Sequence, residues 1–349
     1  MSLNRRAFLK LGLGACLLPL AGSGRAQTLV SEQLYAFGTL VQVGVATDRP
    51  ALARSAIAAV ARDFMAQNRQ WHAWKPGALS ALNQALAAGR THSADPVLLP
   101  LLYEAQALSR ASGGLFNPAI GRLVGCWGFH ADIPPTGAPP GERELAALMA
   151  APPSMDDLVI VGDRIHSRHP QLQIDFGGYA KGVALNLALD RLAAAGCGNA
   201  LVNLGGNLAV SGLRDGRAWR IGVRHPLQRG AVLAAIEVSG RMAVVTSGTY
   251  ERYREHAGQR YAHILDPRSG RPAAHVASAT VVHPDAALAD AAATALVVAG
   301  PQAWPEVARA MKLDAVLLVE PSGRVQLTPA LAERLRFMVP PAGVRMVTL

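Results

Sequence analysis

Residues 33–45 alternate apolar and polar side chains in their second half, a period of two that predicts a strand. From 50 to 65 the apolar positions fall at helical spacing. After Trp71, Trp74 and Pro76-Gly77, helical character resumes over 79–87. A further helix fits 96–112 and ends at Gly113-Gly114, where glycine can terminate it. Residues 129–157 are rich in Pro, Gly and acidic side chains, with a short Ala/Leu helix at 142–150, and read as a surface insertion. From Ile174 the pattern runs strand, Gly-Gly turn and helix over 179–195, followed by a strand pair at 200–203 and 208–210. Strands are predicted at 219–223, 231–238, 242–246 and 276–282, and a helix over 287–299 that stops at Gly300-Pro301. Helices interspersed with strands that often arrive in pairs predict an α+β fold, a mixed and largely antiparallel sheet with helices packed on one side.

Composition bounds this picture. The chain has 349 residues, half of them hydrophobic, which is enough for a large core arranged as one domain or two lobes and excludes a disordered chain. Asn4-Arg-Arg-Ala-Phe-Leu-Lys10, the apolar run over 11–20 and Gly24-Arg-Ala26 form a twin-arginine export signal spanning 1–26. Its apolar run is shorter than the roughly 20 residues of a membrane span. A mature, periplasmic domain over 27–349 is expected. Leu13-Gly-Ala-Cys16 also resembles a lipobox, so a lipid anchor on Cys16 is the alternative and the single route to membrane association. Cleavage after Ala26 removes Arg5, Arg6, Lys10 and Arg25 and no acid, taking the formal net charge from +10 to +6. That excess attracts anionic ligands or a phospholipid surface. No Lys/Arg cluster interleaves with aromatics, which argues against nucleic acid as a partner. Cys126 and Cys197 remain, and with nothing in their spacing to bring them together they read as two separate buried thiols.

Several segments carry candidate chemistry. Arg260-Tyr-Ala-His-Ile-Leu-Asp-Pro-Arg-Ser-Gly-Arg-Pro272 crowds His263, Asp266 and Arg268 into one turn. In Leu288-Ala-Asp-Ala-Ala-Ala-Thr294, Asp290 and Thr294 are four residues apart on a helical run, so both oxygens leave one helix face. A hard cation such as Mg²⁺ takes that kind of oxygen pair, completed by phosphate and water. Ile174-Asp-Phe-Gly-Gly-Tyr-Ala-Lys-Gly182 places two glycines at a helix start, where backbone N–H groups can approach a phosphate and Lys181 adds a charge. An ordinary strand-to-helix turn with a capping Asp explains that motif equally well. Leu201-Val-Asn-Leu-Gly-Gly-Asn207 is a second such turn, and the two suggest a dinucleotide cradle without the spacing of a Rossmann site. Val245-Thr-Ser-Gly-Thr249 supplies hydroxyls after a strand, and Trp74 could stack on a flavin or adenine ring.

Taken in order, Phe37-Gly-Thr39, Leu115-Phe-Asn-Pro-Ala-Ile-Gly121 with Trp127-Gly128, Asp175 to Gly182, Asn203-Leu-Gly-Gly206, Thr246-Ser-Gly248, His263 to Gly270 and Ala289 to Thr294 resemble the ApbE family of FAD:protein FMN transferases. The resemblance implies a T-fold-related α+β architecture that binds FAD with Mg²⁺. It implies transfer of FMN from FAD to a Thr or Ser hydroxyl of a target flavoprotein, with release of AMP. It assigns Asp290, Thr294 and the Gly178 carbonyl to the metal, and Asp175 and Lys181 to FAD. Phe37, Trp74, Leu115, Phe116, Asn117, Ile264 and Ala293 match other positions of the flavin site. His263 is the candidate proton acceptor, with Asp266 orienting or replacing it. The family usually has Met at 37, Asp at 117, often Asp at 207 and commonly Asp at 249, so Phe37, Asn117, Asn207 and Thr249 bear on rate and acceptor choice. The implied partner is an exported flavin-accepting domain of a membrane electron-transfer protein, one version of which serves nitrous oxide reductase maturation. A FAD pyrophosphatase and a non-catalytic FAD carrier are the competing functions.

Overall fold

A computed structural model describes residues 27–93, 95–133 and 136–349; the export signal expected over 1–26 and Cys16 lie outside them. The chain runs through β1 (Thr28–Ala36), β2 (Thr39–Thr47), α1 (Pro50–Gln70), α2 (Ala78–Ala87), β3 (His92–Ser93), α3 (Leu99–Ala111), α4 (Gly121–Cys126) and α5 (Glu142–Met149). It continues through β4 (Leu158–Val161), β5 (Arg164–Ser167), α6 (Ala180–Ala194), β6 (Ala200–Leu204), β7 (Asn207–Ser211), β8 (Trp219–Arg224), β9 (Val232–Val238) and β10 (Met242–Gly248). Then come β11 (Tyr253–His256), β12 (Gln259–Ala262), β13 (Ser278–His283), α7 (Ala286–Ala310), β14 (Ala315–Val319), β15 (Arg324–Leu327), α8 (Pro329–Ala332), β16 (Leu335–Phe337) and β17 (Gly343–Met346).

Nine strands form the central sheet in the order β1-β2-β6-β7-β10-β13-β14-β15-β17. All its pairs are antiparallel except β15 with β17. Inner strands such as β13 and β14 are covered on both faces, which is why they read as unbroken apolar runs, while the edge strands β1 and β17 are largely exposed. Val245, Val281, Val316 and Leu318 join α1, α6 and α7 in one core. Their neighbours Val244, Val282, Leu317 and Val319 face a second core built with Trp219, Ile221, Ile236 and Phe337 of the small sheet β16-β9-β8. The long helices α1, α6 and α7 therefore pack on one side, as expected, and the other side is closed by strands and the short α8. The expectation of a mixed, largely antiparallel α+β fold holds.

Local details depart from the sequence reading. The predicted strand over 33–45 is a hairpin: β1 and β2 pair from Thr28↔Thr47 to Ala36↔Thr39, joined by Phe37 (φ 52°) and Gly38 (φ 70°). A two-residue turn with both φ positive matches strand twist, and Phe at its first position hid the signal, because glycine or asparagine normally marks such turns. No strand forms at Ile174; the buried Asn83 side chain instead accepts from Ile174 N and donates to Ile174 O, each at 2.8 Å. The helix predicted to stop at Gly300 breaks there (φ 81°, ψ 173°) and restarts. Residues 129–157 include the exposed Ile133, but Phe129 and Leu145 are buried with Leu123, Trp127 and Leu265 in a third small core. Cys126 and Cys197 are free thiols.

A close approach of two helix backbones sets the site. Gly182 of α6 lies so near the start of α7 that a Cβ on it would stand 2.2 Å from the Ala286 carbonyl oxygen and 2.7 Å from Ala287 Cα. Gly182→Ala is therefore expected to force α6 and α7 apart, at a cost of about 1–3 kcal/mol read as a lowered denaturation midpoint. An unchanged midpoint would show that the helices separate freely.

Candidate active site

α7 begins under Asp285, whose carboxylate accepts from Ala287 N and Leu288 N, and this fixes the first turn leading to Asp290. Asp290 is 1 % exposed. Its Oδ2 accepts from Gly182 N and its Oδ1 from Asn207 Nδ2, both at 2.9 Å. One turn on, Thr294 Oγ1 lies 3.2 Å from Ser247 Oγ at the end of β10. Gly178 packs against the same threonine, since a Cβ there would be 3.1 Å from Thr294 Oγ1. The strand end, the helix face and the glycine turn before α6 thus converge, and they bring together the three predicted metal-binding positions Gly178, Asp290 and Thr294.

Burial pushes the Asp290 carboxyl above the usual range, and Lys181, the Gly182 N–H and the Asn207 amide only partly offset it. Such a carboxylate is only partly compensated by charge, and among the described residues no cationic side chain is in contact with it. Its two hydrogen bonds leave lone pairs over, beside a hydroxyl and close to the glycine turn, a hard-oxygen set that fits Mg²⁺. Among the described residues no group of three or more His, Cys, Asp or Glu could hold a metal, so an ion here needs substrate or water oxygens to complete its shell.

A second group stands on the β11–β12 hairpin. His263, just past β12, donates its backbone N–H to the Arg252 carbonyl at 3.0 Å, and its Nδ1 meets the same oxygen at 2.9 Å. A carbonyl oxygen only accepts, so Nδ1 carries the proton and Nε2 keeps a free lone pair. Burial lowers the imidazole to about 4; the charges of Lys181 and Arg252 add to this, while the Arg252 carbonyl and Asp175 oppose it. At neutral pH the ring is an uncharged base. Arg252 in turn reaches back, its guanidinium donating to the carbonyls of Phe129 (2.9 Å) and Ala131.

The third group forms the site's aromatic side. Asp175 Oδ1 accepts from Gly177 N at 2.6 Å and Oδ2 from His130 Nε2 at 2.9 Å. Burial alone would raise the Asp175 carboxyl; the His130 and Gly177 N–H groups and the Arg252 charge outweigh it and hold it below the ordinary range. His130 stacks on Trp74, which also meets His72 edge-on.

Other predicted residues go elsewhere. Asp266 takes four hydrogen bonds of 2.8–3.2 Å from the backbone N–H and guanidinium of Arg268. It does not orient His263; the Arg252 carbonyl does, because the hairpin register brings that backbone oxygen under the ring. Asn117 donates to Pro153 O and accepts from Ala119 N, a loop clamp that a carboxylate could not make because it has no proton to donate. Phe37 packs against Phe64 and Trp71. Phe116 (3 %), Ile264 (6 %) and Ala293 (0 %) are core side chains, and Leu115 is half-buried beside them. In the second Gly-Gly turn, Gly206 N donates to Asn203 Oδ1, so that turn serves to aim Asn207 at Asp290 rather than to cradle phosphate. Sequence reading missed His130, Arg252 and the partnership of Ser247 with Thr294. Only the glycine-aromatic context of Trp127-Gly128-Phe129-His130 hinted at the first.

The model of the ApbE family matches residues 37–317. A protein of Rhodobacter capsulatus named FAD:protein FMN transferase is 44 % identical over 95 % of this chain, which spans 64 % of that relative's length. A Vibrio cholerae protein of the same name is 33 % identical over 70 % of this chain and 73 % of its own. The crystal structure of the ApbE protein of Thermotoga maritima superposes with a TM-score of 0.81 at 28 % identity, covering 88 % of this chain and all of that one. The matched segment contains the glycine turn, the His263 hairpin and the Asp290–Thr294 helix face, and this chain belongs to the ApbE family.

Proposed function

We propose that this protein is an exported, Mg²⁺-dependent FAD:protein FMN transferase that moves FMN from FAD to a Thr or Ser hydroxyl of a periplasmic flavin-accepting domain and releases AMP. The observation that carries this reading is the pairing of a neutral His263 whose Nε2 keeps its lone pair with a buried, only partly compensated Asp290 carboxylate, both within the influence of Lys181. Bound to Asp290, Thr294 and the Gly178 carbonyl, Mg²⁺ would neutralise pyrophosphate charge as the phosphorus–oxygen bond to AMP breaks. Lys181 adds positive charge from the start of α6. His263 takes the proton of the acceptor hydroxyl at Nε2 as that oxygen attacks the FMN phosphorus. Arg252 fixes the tautomer through its carbonyl oxygen. The acceptor class, a membrane-bound electron-transfer protein with an exported flavin domain, is the one the family resemblance implies, and the twin-arginine pattern of the N-terminus is consistent with it.

Incubation of the mature protein with FAD, Mg²⁺ and a small acceptor domain carrying a flavinylation-type Thr, read by intact mass, tests the proposal. A gain equal to FMN that disappears with chelator is expected. Release of free FMN and AMP over an unmodified acceptor would make the protein a FAD pyrophosphatase, and bound but intact FAD would make it a carrier.

A further inference from the structure

His130 belongs to the segment between α4 and α5 whose composition reads as surface, yet its imidazole is only 13 % exposed and its partner Asp175 only 11 %. A carboxylate only accepts, so Nε2 carries the proton of the 2.9 Å bond to Asp175 Oδ2. The same ring lies on Trp74 with centroids 4.7 Å apart and planes 20° from parallel. Its other nitrogen backs onto α4: a Cβ added to Gly125 would stand 3.1 Å from His130 Nδ1, so a bare glycine makes room for the ring. One side chain thus fixes the carboxylate that opens the glycine turn and the plane of an indole a hundred residues earlier.

Holding the segment down does not require this ring. Arg252 already donates to Phe129 O and Ala131 O, and Arg254 to Trp127 O, Gly137 O and Ala138 O. Five guanidinium bonds fasten the backbone of this segment, so the His130 contacts with Trp74 and Asp175 are additional to its anchoring.

We propose that His130 is a positioning residue for the flavin donor, locking Asp175 and Trp74 into one pose before FAD arrives so that binding energy is not spent on ordering them. This rests on the flavin-transferase reading and adds to it a residue that sets donor affinity. His130 itself transfers no proton in the reaction. Its two contacts are separable: the N–H holds the carboxylate and the ring holds the indole.

The test uses the mature protein and three variants. His130→Phe keeps a ring on Trp74 and loses the donor, His130→Gln keeps a donor and loses the ring, and Gly125→Ala leaves His130 in place but crowds it. FAD affinity is measured by quenching of flavin fluorescence, and KM for FAD and kcat are measured in transfer to the acceptor domain. His130→Phe and His130→Gln should each weaken FAD binding and raise its KM about tenfold, the scale of one lost charge-assisted hydrogen bond or aromatic stack. Gly125→Ala should raise KM about threefold, with kcat at saturating FAD within about twofold of wild type throughout. Wild-type affinity in all three variants would overturn the proposal, as would a fall in kcat at unchanged KM. A wild-type protein that binds no FAD would instead overturn the flavin-transferase reading beneath it.

Discussion

Replacing His263 with alanine is expected to lower kcat for FMN transfer by about 10²–10⁴-fold, the usual contribution of a general base, while FAD affinity stays within about twofold. The separation follows from geometry: Nδ1 is committed to the Arg252 carbonyl, and Nε2 is the nitrogen left for the reacting proton. The pH profile gives an independent check. With the imidazole lowered to about 4, the base is already unprotonated at pH 5, so kcat/KM should be flat from there through neutrality and fall by half near pH 4. An exposed histidine would lose half its activity near 6.5. The stability linkage has the matching sign. The unfolded chain binds this proton more tightly than the folded one, so the contribution of His263 to stability is complete above about 6.5 and lost as pH falls toward 4. Asp266→Asn is the control; its carboxylate is occupied by Arg268, so its loss should loosen the turn and leave the acid limb where it is. Normal transfer by the His263→Ala protein would remove this residue from the mechanism.

The sequence disclosed the Asp290–Thr294 pair most completely, because both side chains leave one helix and a spacing of four residues is visible in the chain itself. His263 was legible as a residue but not as a tautomer. What fixes it is the carbonyl of Arg252, and a backbone oxygen has no residue-type signature. Asp266 was assigned to the imidazole by proximity along the chain, whereas the turn folds it onto Arg268. Asn207 and Ser247 reach the site through β-sheet register, and His130 through a loop, long-range placements that periodicity does not encode. The same limit governed the fold. Runs such as Ser278–Val282, buried on both faces, announce a strand but not its neighbours, and a hairpin turn led by Phe37 lacks the residue that normally announces one.

Asp290→Asn is expected to lower kcat/KM for transfer at fixed Mg²⁺ by more than about 10²-fold and to abolish the effect of Mg²⁺ on thermal stability. The carboxylate is buried with two hydrogen bonds and, among the described residues, no cation in contact; the more distant Lys181 offsets its burial only in part, so in the metal-free protein the carboxyl stays above the usual range. Its folded form therefore holds a proton more tightly than the unfolded chain. In metal-free protein its contribution to stability should decline as pH rises from the unfolded carboxylate value of about 3.9 through the folded one. Mg²⁺ binds the ionised form and supplies the missing charge, so adding it without FAD should raise the melting temperature of the wild type, and chelator should reverse the gain. Asparagine keeps the size of the side chain but can offer only one acceptor to the two donors, Gly182 N–H and Asn207 amide, and no charge to the cation. A melting temperature that responds to Mg²⁺ equally in both proteins would place the ion elsewhere. A variant that loses the stability response yet keeps full transfer would show that Asp290 holds a cation the chemistry does not use.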